Sequence, residues 1–169
     1  MKNVAAALLA GSLLALAGTA GAQAKAQLKN AQGQPVGTVT ITEAPHGVVL
    51  HATLTGLPAG THAFHIHTTG ACEAPAFTSA GGHFNPGGKQ HGMSNAMGMH
   101  AGDLPNIEVG ADGKLTFDAF AHGVTLGTGA DGLFKTGGTA IVIHAAADDY
   151  KTDPAGNAGA RIACGVITK

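Results

Sequence analysis

Short runs of β-branched and apolar residues, broken at close intervals by turn residues, make up most of the chain beyond its N-terminal stretch. No segment sustains a helical period. The runs predict strands over residues 36–42, 48–54, 61–67, 115–121, 139–145 and 161–167, with another near 26–28. Leu57-Pro-Ala-Gly60 and Gly110-Ala-Asp-Gly113 mark turns between them. One segment breaks the rhythm: residues 68–107 hold eight glycines and three prolines with little alternation. A loop of forty residues inside one domain needs something to pin it. A second irregular stretch covers 146–160. Few aromatics, no tryptophan and 27 glycines fit an all-β domain carrying two long loops.

The N-terminal stretch is of another kind. Met1-Lys-Asn-Val leads into an apolar run from Ala5 to Ala17 and then into small residues, the order of a secretory signal peptide. Ala20-Gly-Ala22 and Ala22-Gln-Ala24 both have the Ala-x-Ala form, so residues 1–24 are expected to be a leader cut after Ala22 or Ala24. The run is interrupted by Gly11 and Ser12 and is short for a membrane span. Residues 25–169 then form one domain, exported to the periplasm or secreted, with no membrane association after cleavage. Loss of Lys2 moves the net charge from −1 to −2, and no basic run points to nucleic acid or an anionic surface. In an oxidising compartment the two cysteines, Cys72 and Cys164, are expected to form one disulfide; the other reading is two unpaired buried thiols.

The chemistry lies in the histidines. Of ten, six fall with one aspartate into an ordered array: His65, His67, His83, His91, His100, Asp103 and His144. On a strand, His65 and His67 share one face while Phe64 and Ile66 share the other. His144 ends the apolar run Ala140-Ile-Val-Ile143 and can add a third imidazole. Nitrogen donors without thiolate suit copper(II), zinc or nickel, and a flattened tetragonal arrangement favours copper. His83, His91, His100 and Asp103 offer three nitrogens and one oxygen, the donor set of a closed structural zinc site. Seven ligands for two metals leave the first site one donor short, and an imidazolate shared between the metals would close the gap. His46, His51, His62 and His122 fit no ligand position.

Ala63-Phe-His-Ile-His67, Gly81-Gly-His-Phe-Asn-Pro86, His91, His100-Ala-Gly-Asp-Leu104, Ala140-Ile-Val-Ile-His144 with Asp148 following, and Gly156-Asn-Ala-Gly-Ala-Arg-Ile-Ala-Cys-Gly-Val-Ile167 together strongly resemble the copper/zinc superoxide dismutases of the bacterial, exported type. The resemblance spans about Ala26 to Lys169 and agrees in order, spacing and residue type at every ligand position. It implies a Greek-key β-sandwich, or flattened eight-stranded barrel, with two long loops carrying the metal site. It implies one copper per subunit on His65, His67, His83 and His144, and one zinc on His83, His91, His100 and Asp103, with His83 bridging.

The same resemblance makes Asp148 the carboxylate that accepts hydrogen bonds from His65 and His91, Arg161 the cation beside copper, and Cys72–Cys164 the family disulfide. The implied reaction is dismutation of superoxide to oxygen and hydrogen peroxide, with copper alternating between Cu(II) and Cu(I), Arg161 attracting the anion and His83 carrying a proton. One departure concerns the stretch from His144 to Arg161, which is shorter than in the eukaryotic enzymes and holds Lys151 as its one lysine, with no glutamate. Steering of superoxide then rests on Lys151 and Arg161 or on residues elsewhere. The alternative function is a non-catalytic extracytoplasmic module that binds or delivers copper. The subunit is expected as a monomer or homodimer. Met93, Met97 and Met99 interleave with His91 and His100; they are read as packing for the zinc loop, with copper(I) capture as the other reading.

Overall fold

The structure, a computed structural model, describes residues 23–169; the expected leader, 1–24, lies outside the described residues apart from its last two positions. Nine strands follow in order: β1 (Gln23–Asn30), β2 (Pro35–Ala44), β3 (Gly47–Leu54), β4 (Gly60–His62), β5 (Phe64–His67), β6 (Ile107–Val109), β7 (Leu115–His122), β8 (Ala140–His144) and β9 (Arg161–Thr168). A single 3₁₀ turn, Thr78–Ala80, is the one helical element among them. No helix among the described residues is long and apolar enough to cross a membrane.

The strands run β5-β8-β9-β1-β2-β3-β7 in one curled antiparallel sheet, with β4 and β6 paired separately. Consecutive strands β1, β2 and β3 are joined as hairpins, whereas β9 returns across the whole chain to pair with β1. The predicted strand 61–67 is broken at Ala63, because β4 pairs with β6 and β5 with β8. Counted as one, it leaves the eight strands expected. Strand β6 has three residues, too short to carry a period; no strand is expected there from sequence, and its first residue is the last of the long loop.

Burial follows the alternation where one face is wet. In β1, and in β3 from Val48 onward, every second residue is buried, placing Ala24, Ala26, Leu28, Leu50, Ala52 and Leu54 in the core. Strand β8 is buried throughout, which is why its sequence is a continuous apolar run. Its Ile141 and Ile143 enter the main core with Phe64 and Ile66, while Ala140 and Val142 face a second cluster with Phe77, Ala80 and Cys164. Phe64 packs edge-on to Phe117, with centroids 5.1 Å apart at 86°. Each fully buried Leu, Ile or Phe side chain contributes about 1.5–3 kcal/mol relative to exposure. These two clusters hold β5 and β8 rigidly, and both strands carry histidines on their ends.

The long loop is pinned at two places. Cys72 and Cys164 form a disulfide with Cα atoms 5.7 Å apart, tying the loop to β9. Further on, the loop lies against β5: the Ile66 amide donates to the Gly102 carbonyl, Phe84 N–H to the Ile66 carbonyl, and Gly102 N–H to the Phe84 carbonyl. Gly102 is required there, since an added Cβ would fall on the Ile66 carbonyl oxygen.

Candidate metal centre

All four residues of β5 are buried, with Phe64 and Ile66 in the core and His65 and His67 on the opposite face. Isolated bridges set His65 beside Asp103 and His67 beside His83, so the loop's donors arrive on the strand's histidine face. His144 pairs with Arg161 after a register shift between Ile143 and His144. A bulge of that kind re-aims the side chain at a strand end. The result is two groups of donor atoms, each within 4.8 Å of one another: His65, His67, His83 and His144, and His83, His91, His100 and Asp103. All seven residues are buried, and His83 belongs to both groups.

Hydrogen bonding decides which nitrogen each ring turns inward. His67 Nδ1 is 2.9 Å from the Gly81 carbonyl, and His144 Nδ1 is 3.3 Å from the Gly159 carbonyl. Both Nε2 atoms are thereby left to the interior, 3.3 Å apart. His65 gives Nε2 to Asp148 Oδ2 at 2.8 Å, which leaves Nδ1. In the second group the Nδ1 atoms of His83, His91 and His100 lie 2.8, 3.1 and 3.2 Å from Asp103 Oδ1. His83 therefore presents Nδ1 to one group and Nε2 to the other.

Among the described residues, two buried side-chain atoms have no hydrogen-bond partner, His65 Nδ1 and His83 Nε2. A buried polar atom without a partner costs about 1–3 kcal/mol, and both of these face the first group. Their lone pairs are what a soft-to-borderline cation takes. The all-imidazole group fits copper and the three-imidazole, one-carboxylate group fits zinc.

Electrostatics keep the donors in metal-binding form. Burial pushes His67 down to about 2 and His144 down to about 3, helped by neighbouring imidazoles and the Arg161 charge. His83 falls to about 4, chiefly from burial, with the Asp103 hydrogen bond opposing. Burial by itself would raise Asp103, but hydrogen bonds from His83 and the Gly92 amide hold its carboxyl well below the usual range. Asp148 is likewise lowered against the effect of its burial, through His65 and His91. His67, His83 and His144 therefore stay neutral, and Asp103 and Asp148 ionised, near neutral pH.

Asp148 accepts from His65 through Oδ2 and from His91 through Oδ1, the latter at 2.9 Å, and so joins the two groups from behind. Gly156, with φ of +64°, passes so close that a Cβ there would overlap the Asp148 carboxylate. Arg161 donates to the Phe77 and Gly81 carbonyls, both at 2.6 Å, and thus shares the Gly81 oxygen with His67. It remains partly exposed.

Three residues of the surround carried no sequence signal. The Asn106 side chain makes a reciprocal pair of hydrogen bonds with the backbone of Asp148, at 2.9 and 2.8 Å, while its own amide donates to the Tyr150 hydroxyl at 2.7 Å. Asp153 accepts from the His91 amide at 2.6 Å. These partners are residues 42 to 62 apart in sequence, so no local pattern reveals them. Of the histidines set aside, His46, His51 and His122 are exposed. His62 is buried between the carbonyls of His144 and Pro58, 2.8 and 2.9 Å away.

Comparison with known proteins agrees with this geometry. A family model described as copper/zinc superoxide dismutase (SODC) matches residues 35–167. Superoxide dismutase (Cu-Zn) 2 of Aquifex aeolicus (strain VF5) is 49% identical over 164 residues, 95% of this chain and 96% of the relative. A SOD-like protein from Bacillus subtilis superposes with TM-score 0.81 at 44% identity, over 84% of this chain and 96% of that one. The Cu/Zn superoxide dismutase from Brucella abortus gives 0.70 at 30% identity, over 87% and 100%. Since the match runs from β2 into β9 and through both donor groups, the chain belongs to the copper/zinc superoxide dismutase family.

Proposed function

We propose that His65 Nδ1 and the Nε2 atoms of His67, His83 and His144 hold copper, and that the Nδ1 atoms of His83, His91 and His100 with Asp103 hold zinc, His83 serving both. The activity is dismutation of superoxide to oxygen and hydrogen peroxide. Copper supplies the one-electron couple for it, and zinc a Lewis-acidic charge on the shared imidazole.

The chain's own groups do the rest. Arg161, fixed by two carbonyls, spends two of its five N–H donors on the scaffold and keeps its charge and remaining donors for a small anion. Lys151, exposed in the loop before it, adds to the attraction. His83 Nε2 is the atom that takes up and releases a proton, because Nδ1 is engaged on the Asp103 side. Each turnover of two superoxide ions consumes two protons, one delivered from His83 and one from solvent. Gly81, Gly159 and Asp148 hold the other three imidazoles so that they bind without moving.

The observation that carries this reading is the sharing of one buried histidine between two complete donor groups. A non-catalytic copper module would use the first group without the second group or Arg161. The test is superoxide decay by pulse radiolysis, using protein loaded with one copper and one zinc. The expected second-order rate lies near the diffusion ceiling, about 10⁸ to 10⁹ M⁻¹s⁻¹. Arg161→Ala is expected to lower it by about tenfold or more. Decay no faster than the protein-free background would overturn the assignment in favour of copper storage.

The protein is exported to the periplasm or beyond, as a monomer or homodimer, once its leader is removed. Gln23 and Ala24 already pair with Thr42 and Ile41, and Ala24 is buried, which favours cleavage after Ala22. N-terminal sequencing of the exported form tests the bond.

A further inference from the structure

We propose a third metal site, for copper(I), on the surface of the zinc loop, built from the thioethers of Met93, Met97 and Met99, with His122 beside Met99. The inference rests on copper being the resident metal and adds a place where cuprous ion is held outside the buried centre.

The large apolar side chains left exposed among the described residues are Val49, Phe120 and these three methionines. Val49 and Phe120 are register partners on the sheet. The methionines stand apart from them, within seven residues of one another and between the zinc-group donors His91 and His100. They are 40%, 67% and 40% exposed, so the packing role expected from sequence accounts for only part of their surface.

Nor do they shape the loop. Its form comes from backbone and amide hydrogen bonds. Gln90 N–H donates to the Met97 carbonyl, Ser94 N–H to the Tyr150 carbonyl and Gly98 N–H to the Asn95 carbonyl. Asn95 reaches Gln90 Oε1 and the His91 carbonyl, and accepts from the Met97 amide. With the backbone held by other groups, the three thioethers are not needed for the loop's form and are left as donors on its surface. Methionine has three rotatable bonds with which to turn its sulfur towards an ion.

The donor type selects the ion. Thioether sulfur is a soft, uncharged ligand that favours copper(I) over zinc, calcium or copper(II). Met99 lines a hollow of about 270 Å³ together with His100 and His122. His122 lies in no other donor group and is exposed, so its imidazole can supply a nitrogen to the same ion. The hollow touches His100, which places the surface site directly against the buried centre.

The test uses protein already carrying its own copper and zinc, kept anaerobic with ascorbate, and titrated against the copper(I)–bicinchoninate complex. The expected result is withdrawal of one equivalent of copper(I) beyond the resident metal. M93L/M97L/M99L, which preserves side-chain volume, should weaken that uptake at least tenfold while superoxide decay per resident copper stays unchanged. His122→Ala should weaken it by a smaller factor. Sulfur scattering at the copper K-edge should accompany the extra equivalent. No uptake beyond the resident metal, or equal uptake by the triple variant, would overturn the site. Elemental analysis of the same samples reports the resident metals separately, so failure of the buried assignment and failure of the surface site give different results.

Discussion

Asp148 shows how much a single side chain can carry without touching either metal position. Its two oxygens accept from His65 and His91, which belong to different donor groups. An amide in its place has one acceptor oxygen, so one of the two rings would lose its anchor. Asp148→Asn is therefore expected to weaken zinc binding by about 10- to 100-fold, the range for loss of a group that orients a metal ligand. Competition with a chromophoric chelator measures it, and unchanged affinity would show that the rings hold themselves. The seven donors and Asp148 were legible in the sequence because imidazole and carboxylate are distinctive donors and their order is linear. Asn106, Tyr150 and Asp153 were not legible. They act through backbone amides and carbonyls, which every residue possesses, and only the folded geometry brings them into contact.

The strands position donors and the loops bring the remaining donors to them. Strands β5 and β8 pair in register from Phe64 opposite Ile143 to His67 opposite Ala140, and the bulge before His144 turns its ring towards His67. The loop 68–107 follows that scaffold only because it is tied down. Closing 92 residues with the Cys72–Cys164 bridge removes entropy from the unfolded chain worth on the order of 4 to 5 kcal/mol. C72S/C164S is expected to lose about 2–5 kcal/mol of stability in chemical denaturation. The Cys72 segment also leads into Phe77 and Gly81, whose carbonyls hold Arg161, so the same variant should lower the superoxide rate at full metal loading. Stability lost with the rate intact would separate the bridge from the site. The predicted strands matched the observed ones where alternation was clear. The break at Ala63 and the three-residue β6 escaped, because pairing partners 45 or more positions away decide them.

For the molecule as a whole, the buried histidines make stability a function of pH. In the metal-free protein His67, His83 and His144 titrate near 2, 4 and 3, against the usual 6.5 of an exposed imidazole. Their folded-state values are depressed, so the unfolded chain binds more protons below 6.5 and stability falls as pH falls. The contribution is fully present above about pH 6.5 and declines through pH 4 and below. Asp103, depressed from its usual 3.8, adds a loss of the same sign at lower pH. Urea midpoints of metal-free protein should drop between pH 7 and 4, with proton uptake on unfolding approaching three per molecule. A flat profile would mean that these rings are charged or solvated in the fold. Bound metal competes with the same protons, so holoprotein should keep its midpoint to lower pH until metal is released.

By itself the sequence determined the all-β class, the two long loops, the candidate ligand residues and the family, because alternation, turn chemistry and donor type are written residue by residue. Tertiary structure decided which nitrogen of each imidazole faces inward and that three methionines lie on the surface. Those outcomes depend on hydrogen bonds such as His65 to Asp148, across 83 residues, and His67 to Gly81. The direction of a ring is set by its partner, and the partner is chosen by the fold.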